Sequence, residues 1–349
     1  MSTIHWKDYT LRGKADAATT RLTEDRFEDE VEGGWFAATV DRKIFKQLIR
    51  RDDAVALRGF ILWVVLLLLT GCGAVMAWGT VWAIPAFLVY GILYSAADHR
   101  HHELSHGTPF KTRKINEIFY HLCAFMTFRE GFYYRWSHTR HHTDTIMVGK
   151  DPEIGAPRPP NRWAIYADFF FIADGIRLIR MLLRHASGRL TEAGKHFVPE
   201  SEVPKVFWAA RLYVLAFALL IGVCFATGSL LPLMLVGLPR FYGGFFSQLF
   251  NMSQHTCLAE DVRDHRLNTR TILMNPVFSF LYANMNYHIE HHMFPMVPYY
   301  RLPELHGLIK DQCPPAYPSI WAAWREIVPG MNKQQHDPDW FIRRPLPIT

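Results

Sequence analysis

The sequence predicts an all-α integral membrane protein, with four transmembrane helices in two hairpins and a helical cytoplasmic cap that carries clustered histidines. Three observations point there. Residues 59–97 contain no Asp, Glu, Lys or Arg, and residues 212–239 contain none either. A soluble domain seldom leaves so long a stretch uncharged, whereas a bilayer core requires it. The third observation is that 18 histidines occupy 349 positions, and ten of them fall in three short clusters outside the apolar stretches.

Composition removes several other classes. Half of the residues are hydrophobic and 14% are aromatic, which excludes a globally disordered chain. The formal net charge of +6 suits a cytoplasmic membrane surface, where basic side chains meet anionic lipid. No lysine-rich run with interleaved aromatics is present, so nucleic acid is not an expected partner. Cys72, Cys123, Cys224, Cys257 and Cys313 are scattered and form no C-x-x-C. That argues against a disulfide framework or a zinc knuckle.

The elements follow in order. Residues 1–57 read as a polar cytoplasmic arm with a short amphipathic piece near Ile44–Ile49. The arm lacks an apolar leader, so the first span is expected to act as its own insertion signal. Residues 59–78, at about 1.5 Å per residue, are long enough to cross a hydrocarbon layer of about 30 Å. After a Gly79-Thr80 turn, residues 81–98 return. Residues 99–204 are polar, aromatic and histidine-rich, with a Pro-rich loop at 150–162. The apolar segment 163–183 carries Asp168, Asp174, Arg177 and Arg180, so it reads as a helix lying on the interface. A second hairpin runs through 206–226 and 230–250. Arg211 near one end can snorkel, and Arg240, beside Pro239 in mid-span, should face protein or a wet cavity. Residues 58–310 then form the membrane domain, and 311–349 a cytoplasmic tail packed on the cap. Neither hairpin turn contains a Lys or Arg, so the positive-inside rule puts both termini and all the histidine clusters in the cytoplasm.

The clusters carry the chemistry. His102 and His106, in His-Glu-Leu-Ser-His, stand one helical turn apart and share a face. His138, His141 and His142 repeat the idea at spacing i, i+3, i+4, and His288, His291 and His292 do so again. Asn251 and His255 form a further i, i+4 pair where the fourth span ends. Neutral imidazole is a good ligand for iron, copper and zinc. One tetrahedral zinc needs three or four ligands, so this many imidazoles suits two metals. His-Glu-x-x-His alone also fits a zinc protease, but that reading leaves the other two clusters unexplained. A metal transporter would hold its ligands at mid-membrane, whereas these lie beyond the span ends. Glu103, Asp144 and Glu290 adjoin the ligands and are candidates to orient imidazoles. Tyr133, Tyr134, Arg135 and Trp136 sit beside the second cluster, where aromatic packing is the expectation. His99 and His101 point off the ligand face and are expected behind the ligands or on the surface. His121, His185, His196, His265, His306 and His336 are isolated and read as surface or core residues.

HELSH, HTRHH and HIEHH, in this order between apolar hairpins, resemble the three histidine boxes of the membrane fatty acid desaturase superfamily. The resemblance covers roughly residues 59–310. It implies two non-haem iron ions with O₂ as co-substrate, held by His102, His106, His138, His141, His142, His288, His291 and His292. Asn251 and His255 are similar to the extra Asn-x-x-x-His of acyl desaturases, which implies a ninth ligand in His255 and a metal-bound water held by Asn251. The implied reaction is oxidation of an unactivated C–H bond, most naturally desaturation of a fatty acyl chain or acyl lipid. Hydroxylation, or a sterol, carotenoid or small polar substrate, is the alternative. The chain lacks the His-Pro-Gly-Gly haem motif of fused cytochrome domains. The implied electron donor is therefore a separate protein, a ferredoxin or small cytochrome with its reductase.

Overall fold

The computed structural model describes residues 34–347. It is helical, and its extended pairing among the described residues is confined to two isolated bridges, Thr271 with Tyr287 and Ile272 with Tyr317. Helix α1 (Arg42–Leu48) falls where the short amphipathic piece was expected. Helix α2 (Asp53–Ala77) starts on Asp52, whose side chain accepts from the backbone N–H groups of Ala54 and Val55. Helix α8 (Val203–Thr227) ends on Gly228, whose φ of 62° gives the left-handed stop that glycine supplies at no steric cost. Between them lie α3 (Ala83–Ser95), α4 (Ala97–Ser105), α5 (Arg113–Met126), α6 (Gly131–Thr143) and α7 (Ile172–Ala186). Both α2 and α8 have 25 residues and are long and apolar enough to cross a membrane.

These two helices wear their apolar residues outside. Leu68, Leu69, Leu212 and Leu219 are each more than half exposed. Contiguous apolar surface on this scale needs a covering medium. The segment expected as one amphipathic helix over 163–183 is broken: Arg162–Ala167 and Ile172–Ala186 are separate helices, with Phe171 between them at a φ of 53°. On α7, Gly175, Leu178 and Leu182 face inward, while Ile172, Ile176 and Leu183 remain exposed beside arginines.

Two expected spans differ in the structure. Residues 81–98 are not one helix: α3 stops at Ser95 and α4 restarts at Ala97. Residues 230–250 form three pieces, α9 (Leu231–Leu235), α10 (Pro239–Gly243) and α11 (Phe245–His255). The cause of the larger break is local. Gly237 has a φ of 91° and Pro239 lacks a backbone donor, so the helical ladder cannot run through. Three tyrosines satisfy the backbone groups freed there. Tyr90 donates to Leu235 O at 2.7 Å, Tyr242 donates to Met234 O at 2.6 Å, and Tyr94 Oη accepts from Gly237 N at 3.3 Å. The pieces are pinned against α3 by backbone contact. A Cβ on Gly243 would lie 2.0 Å from the Gly91 carbonyl carbon.

Towards the C-terminus lie α12 (His288–Met293), α13 (Leu302–Ile309) and α14 (Ile320–Gln334). Their buried faces share one core: Ile289, Leu305, Ile327 and Met331 pack with Leu48 and Phe250. The expected C-terminal tail therefore enters the same core as the third histidine cluster. Of the expected N-terminal arm, residues 1–33 lie outside the described residues.

Candidate metal centre

The histidine-bearing elements are short, and each is aimed by a local device. Helix α4 continues from α3 and presents His102, with His106 as its last, capping residue. Helix α6 is fixed by Glu130, which accepts from Phe132 N at 2.8 Å and Tyr133 N at 2.7 Å. Its buried face includes His138 and His141. His255 is the final residue of α11, and α12 supplies His288, His291 and His292.

All nine expected ligands converge, and they divide in two. His102, His106, His138, His142 and His291 form one group; His141, His255, His288 and His292 form the other. Within each group the ring nitrogens lie within 4.8 Å of one another. The closest approaches are His102 Nε2 to His291 Nε2 at 2.9 Å, His106 Nε2 to His138 Nε2 at 3.1 Å, and His288 Nε2 to His292 Nε2 at 3.1 Å. Two nitrogens each about 2.1 Å from a metal, at right angles, lie about 3 Å apart. The two groups touch: the His142 and His292 rings stack with centroids 4.3 Å apart.

Protonation is arranged from behind. His138 Nδ1 meets Glu153 Oε2 at 2.9 Å, and His141 Nδ1 meets Asp151 Oδ2 at 2.8 Å. His255 Nδ1 donates to the Asn268 carbonyl at 2.9 Å, which can only accept. Thr145 gives its hydroxyl hydrogen to His141 O at 2.8 Å, so its oxygen accepts from His292 Nδ1 at 3.1 Å. At these four histidines Nδ1 carries the hydrogen, which at His138, His255 and His292 leaves the Nε2 lone pair facing the cluster. Burial, reinforced by neighbouring imidazoles, holds His102, His138, His142, His255, His288, His291 and His292 well below the usual histidine range. Burial pushes His106 down to about 4. His141 is the exception: burial opposes its charge, but Asp151 outweighs burial and raises it. Neutral, convergent, oriented imidazoles fit a transition-metal site.

The carboxylates expected to orient the ligands do something else. Glu103 accepts from Thr108 Oγ1 at 2.6 Å and Tyr299 N at 3.0 Å. Asp144 pairs with Arg140 at 2.7 Å, and Glu290 accepts from Thr271 and meets His306 Nδ1, each at 2.5 Å. Because Glu103 turns away from the histidines, it is not placed as the base of a zinc protease. Asp151 and Glu153, in the Pro-rich loop, stand behind His141 and His138 instead, and no spacing pattern marks them in the sequence.

The other histidines sort themselves by packing. His99 lies edge-on to Tyr282 at 4.6 Å, and His101 stacks on Tyr120 at 5.2 Å; both are buried core residues rather than surface ones. His185 is also buried. His265, expected on the surface or in the core, is buried; it stacks on Trp35 at 4.3 Å and lies 5.1 Å from the His292 ring. Tyr134 stacks on His138 at 5.2 Å, Arg135 lies over Tyr120, and Trp136 packs beside Leu190 and Val206. Arg211 donates to Ala186 O at 3.0 Å, tying α8 to the end of α7.

A cavity of about 510 Å³ opens onto both groups, with His102, His138, His141, His255 and Asn251 in its wall. Asn251 Nδ2 donates to Asp98 Oδ2 at 3.0 Å. Asp98 also pairs with Arg240 at 2.8 Å and Arg129 at 3.2 Å, so Arg240 is buried against protein at the depth where the sequence placed a mid-span charge.

Residues 81–324 match the fatty acid desaturase family. The chain belongs to that family. Among curated proteins, this desaturase-family chain is 22% identical over 281 residues to the acyl-lipid (9+3)-(E)-desaturase of Dimorphotheca sinuata, covering 72% of each chain. It is 26% identical over 286 residues to a Delta(12) acyl-lipid conjugase of Momordica charantia, covering 72% of this chain and 69% of that one. It is 25% identical over 293 residues to the Delta(12)-oleate desaturase of Trichosanthes kirilowii, covering 72% and 74%. The protein is thus an oxidoreductase of lipid metabolism, from a family that implies a diiron centre and association with membranes.

Proposed function

We propose that this protein catalyses O₂-dependent oxidation of an unactivated C–H bond at two irons, with desaturation of an acyl compound as the reaction. The observation that carries the reading is the division of nine histidines into groups of five and four with none left over. Bound iron supplies redox chemistry that acid–base side chains lack. In the balanced reaction two hydrogens leave adjacent carbons, O₂ is reduced to two waters, and two electrons and two protons come from outside. A separate ferredoxin or small cytochrome with its reductase is the proposed source of the electrons.

The chain's own residues do the holding. His102, His106, His138, His142 and His291 hold one iron, and His141, His255, His288 and His292 the other. Asp151, Glu153, Thr145 and the Asn268 carbonyl fix which ring nitrogen carries hydrogen. Asn251 donates its amide hydrogen to Asp98, which leaves its side-chain oxygen to accept from a water beside His255. Helices α2 and α8 cross the bilayer, and α3 with α9–α11 supply the remaining spans as broken segments. Both termini and the metal centre face the cytoplasm, so cysteine labels at Thr80 and Ser229 should react from outside the cell and labels at Lys333 should not.

The test is iron content with product analysis. Wild type should hold two irons per chain and form an oxidised product only with O₂ and a reductant. His138→Ala and His255→Ala should each lose iron and at least 1,000-fold in turnover, roughly the loss that removal of an essential group causes. A single zinc, or full turnover in both variants, would overturn the reading.

A further inference from the structure

Two interrupted spans meet beside the histidines. Helix α3 ends at Ser95 and α4 begins at Ala97, while α10 ends at Gly243 and α11 begins at Phe245. An unbroken helix keeps its residues in register through its own backbone ladder. Across a break, bonds from elsewhere in the chain must supply that register. Ser95 Oγ donates to Pro239 O at 3.3 Å, and Ser247 Oγ donates to Ser95 O at 3.2 Å, so the two breaks are stitched to each other.

The stitching continues at Asp98, which is buried on the first turn of α4. Its Oδ2 accepts from Arg240 Nη2 of α10 at 2.8 Å and from Asn251 Nδ2 of α11 at 3.0 Å. Its Oδ1 accepts from Arg129 Nε at 3.2 Å, and Arg129 directly precedes Glu130, the residue that caps α6. A carboxylate only accepts, so both of its oxygens can serve these donors; an amide has one accepting oxygen and cannot serve all three in the same way.

The sharing of histidines shows what this anchor controls. Helix α6 gives His138 and His142 to the group of five and His141 to the group of four, and α12 gives His291 to the first and His288 and His292 to the second. Each of these helices relates the two groups through its own turns. Helix α4 serves the group of five alone, through His102 and His106, and α11 serves the group of four alone, through His255. Asp98 precedes His102 by four residues and Asn251 precedes His255 by four. The Asp98–Asn251 hydrogen bond therefore ties together the two helices that share no ligand group, one turn, about 5 Å, from a ligand on each.

We infer that Asp98 is a positioning residue, which fixes α4 against α11 and so sets how the two metal sites stand to each other. Its bonds run to Arg129, Arg240 and Asn251 rather than to a histidine, so it acts through the helices. The inference rests on the proposed diiron centre. Its rival is that Asp98 serves only as a counter-charge for the two arginines. The two roles differ in their sensitivity to length: a glutamate keeps the charge but moves the accepting oxygens by one methylene.

The experiment purifies full-length wild type, Asp98→Glu and Asp98→Asn, loads each with iron, and compares iron content, turnover per bound iron and the Mössbauer spectrum, which reports each iron's surroundings and the coupling between the irons. Asp98→Glu is the decisive variant, because both arginines keep a partner charge. Its spectrum should differ from wild type, and its turnover per bound iron should fall about 10–100-fold, the range for loss of an orienting group. Asp98→Asn should change at least as much. An unchanged spectrum in Asp98→Glu overturns the inference, whatever the iron content, because lost stability alone would lower occupancy without altering the iron that remains. If Asp98→Glu yields no folded protein, Arg129→Gln is read in its place by the same criterion, since it removes one of the three donors from a partly exposed side chain. Wild type that binds no pair of irons overturns the diiron reading and this inference with it. Wild type that binds the pair but forms no oxidised product overturns the proposed reaction alone, and the spectra still decide the role of Asp98.

Discussion

Helices α2 and α8 turn leucines outward, whereas α4, α6 and α12 turn histidines inward. The first pair is long, and its outward positions require only that no charge intrude. The second set is short, and several of the inward rings are held by a partner from elsewhere in the chain. His138 needs Glu153, His141 needs Asp151, and His255 needs the Asn268 carbonyl. Composition governs one region and specific pairing governs the other, so the two should fail in different ways.

The largest expected effect breaks the outward region. Leu68→Lys or Leu219→Lys puts a charge near the middle of a span, at a cost of about 2.5–3.5 kcal/mol. Recovery of protein in the membrane fraction should collapse, while Leu68→Ala or Leu219→Ala should be recovered almost as wild type. If the lysine variants insert normally, α2 and α8 do not face lipid.

The inward region should break by chemistry and leave insertion intact. Asp151→Asn and Glu153→Gln remove an acceptor charge behind one imidazole each. Losses of about 10–100-fold in iron affinity or turnover are expected, with normal membrane recovery. Glu103→Gln and Asp144→Asn should change iron affinity much less, since neither carboxylate reaches a ligand. Equal losses in all four variants would erase the distinction drawn here between orienting and bystander carboxylates.

The smallest effect sharpens the comparison away from the metals. His185 is buried on α7 with neither ring nitrogen bonded among the described residues, and burial, with Arg184 adding to it, pushes it down to about 4. An unfolded histidine titrates near 6.5. The unfolded chain thus binds more protons between these values, and stability from this site is present above about pH 6.5 and lost as pH falls toward 4. His185→Phe should flatten that part of the acid limb when melting temperature is followed from pH 7 to pH 4.5. An identical slope in the variant would refute the assignment.

What could be read beforehand divides along the same line. The nine histidines were legible because their spacing is local: one helical turn brings each set onto one face. The outward helices were legible because uncharged length has few other uses. Asp151 and Glu153 were not legible, because they reach the second cluster from a Pro-rich loop with no periodicity. His265, expected on the surface or in the core, is a core residue, and only the fold brings it to Trp35 and His292. Apolar length does not announce the break within 230–250; Gly237 and Pro239, which cause it, are its only mark in the sequence. The broken segment is the part that carries Arg240 to Asp98.

The hydrogens held on Nδ1 have a consequence for loading. A metal usually displaces protons from its ligands as it binds, which makes affinity climb with pH. Here burial has already emptied most of the ligand nitrogens, and the bonds to Glu153, Asn268 and Thr145 hold the remaining hydrogens on the far side of their rings. His141, propped up by Asp151, is the ligand with a proton to give. Iron uptake near neutral pH should then be almost silent in proton count. Calorimetric heats measured in buffers of different ionisation enthalpy would nearly coincide, and the small difference between them would belong to the four-histidine group alone.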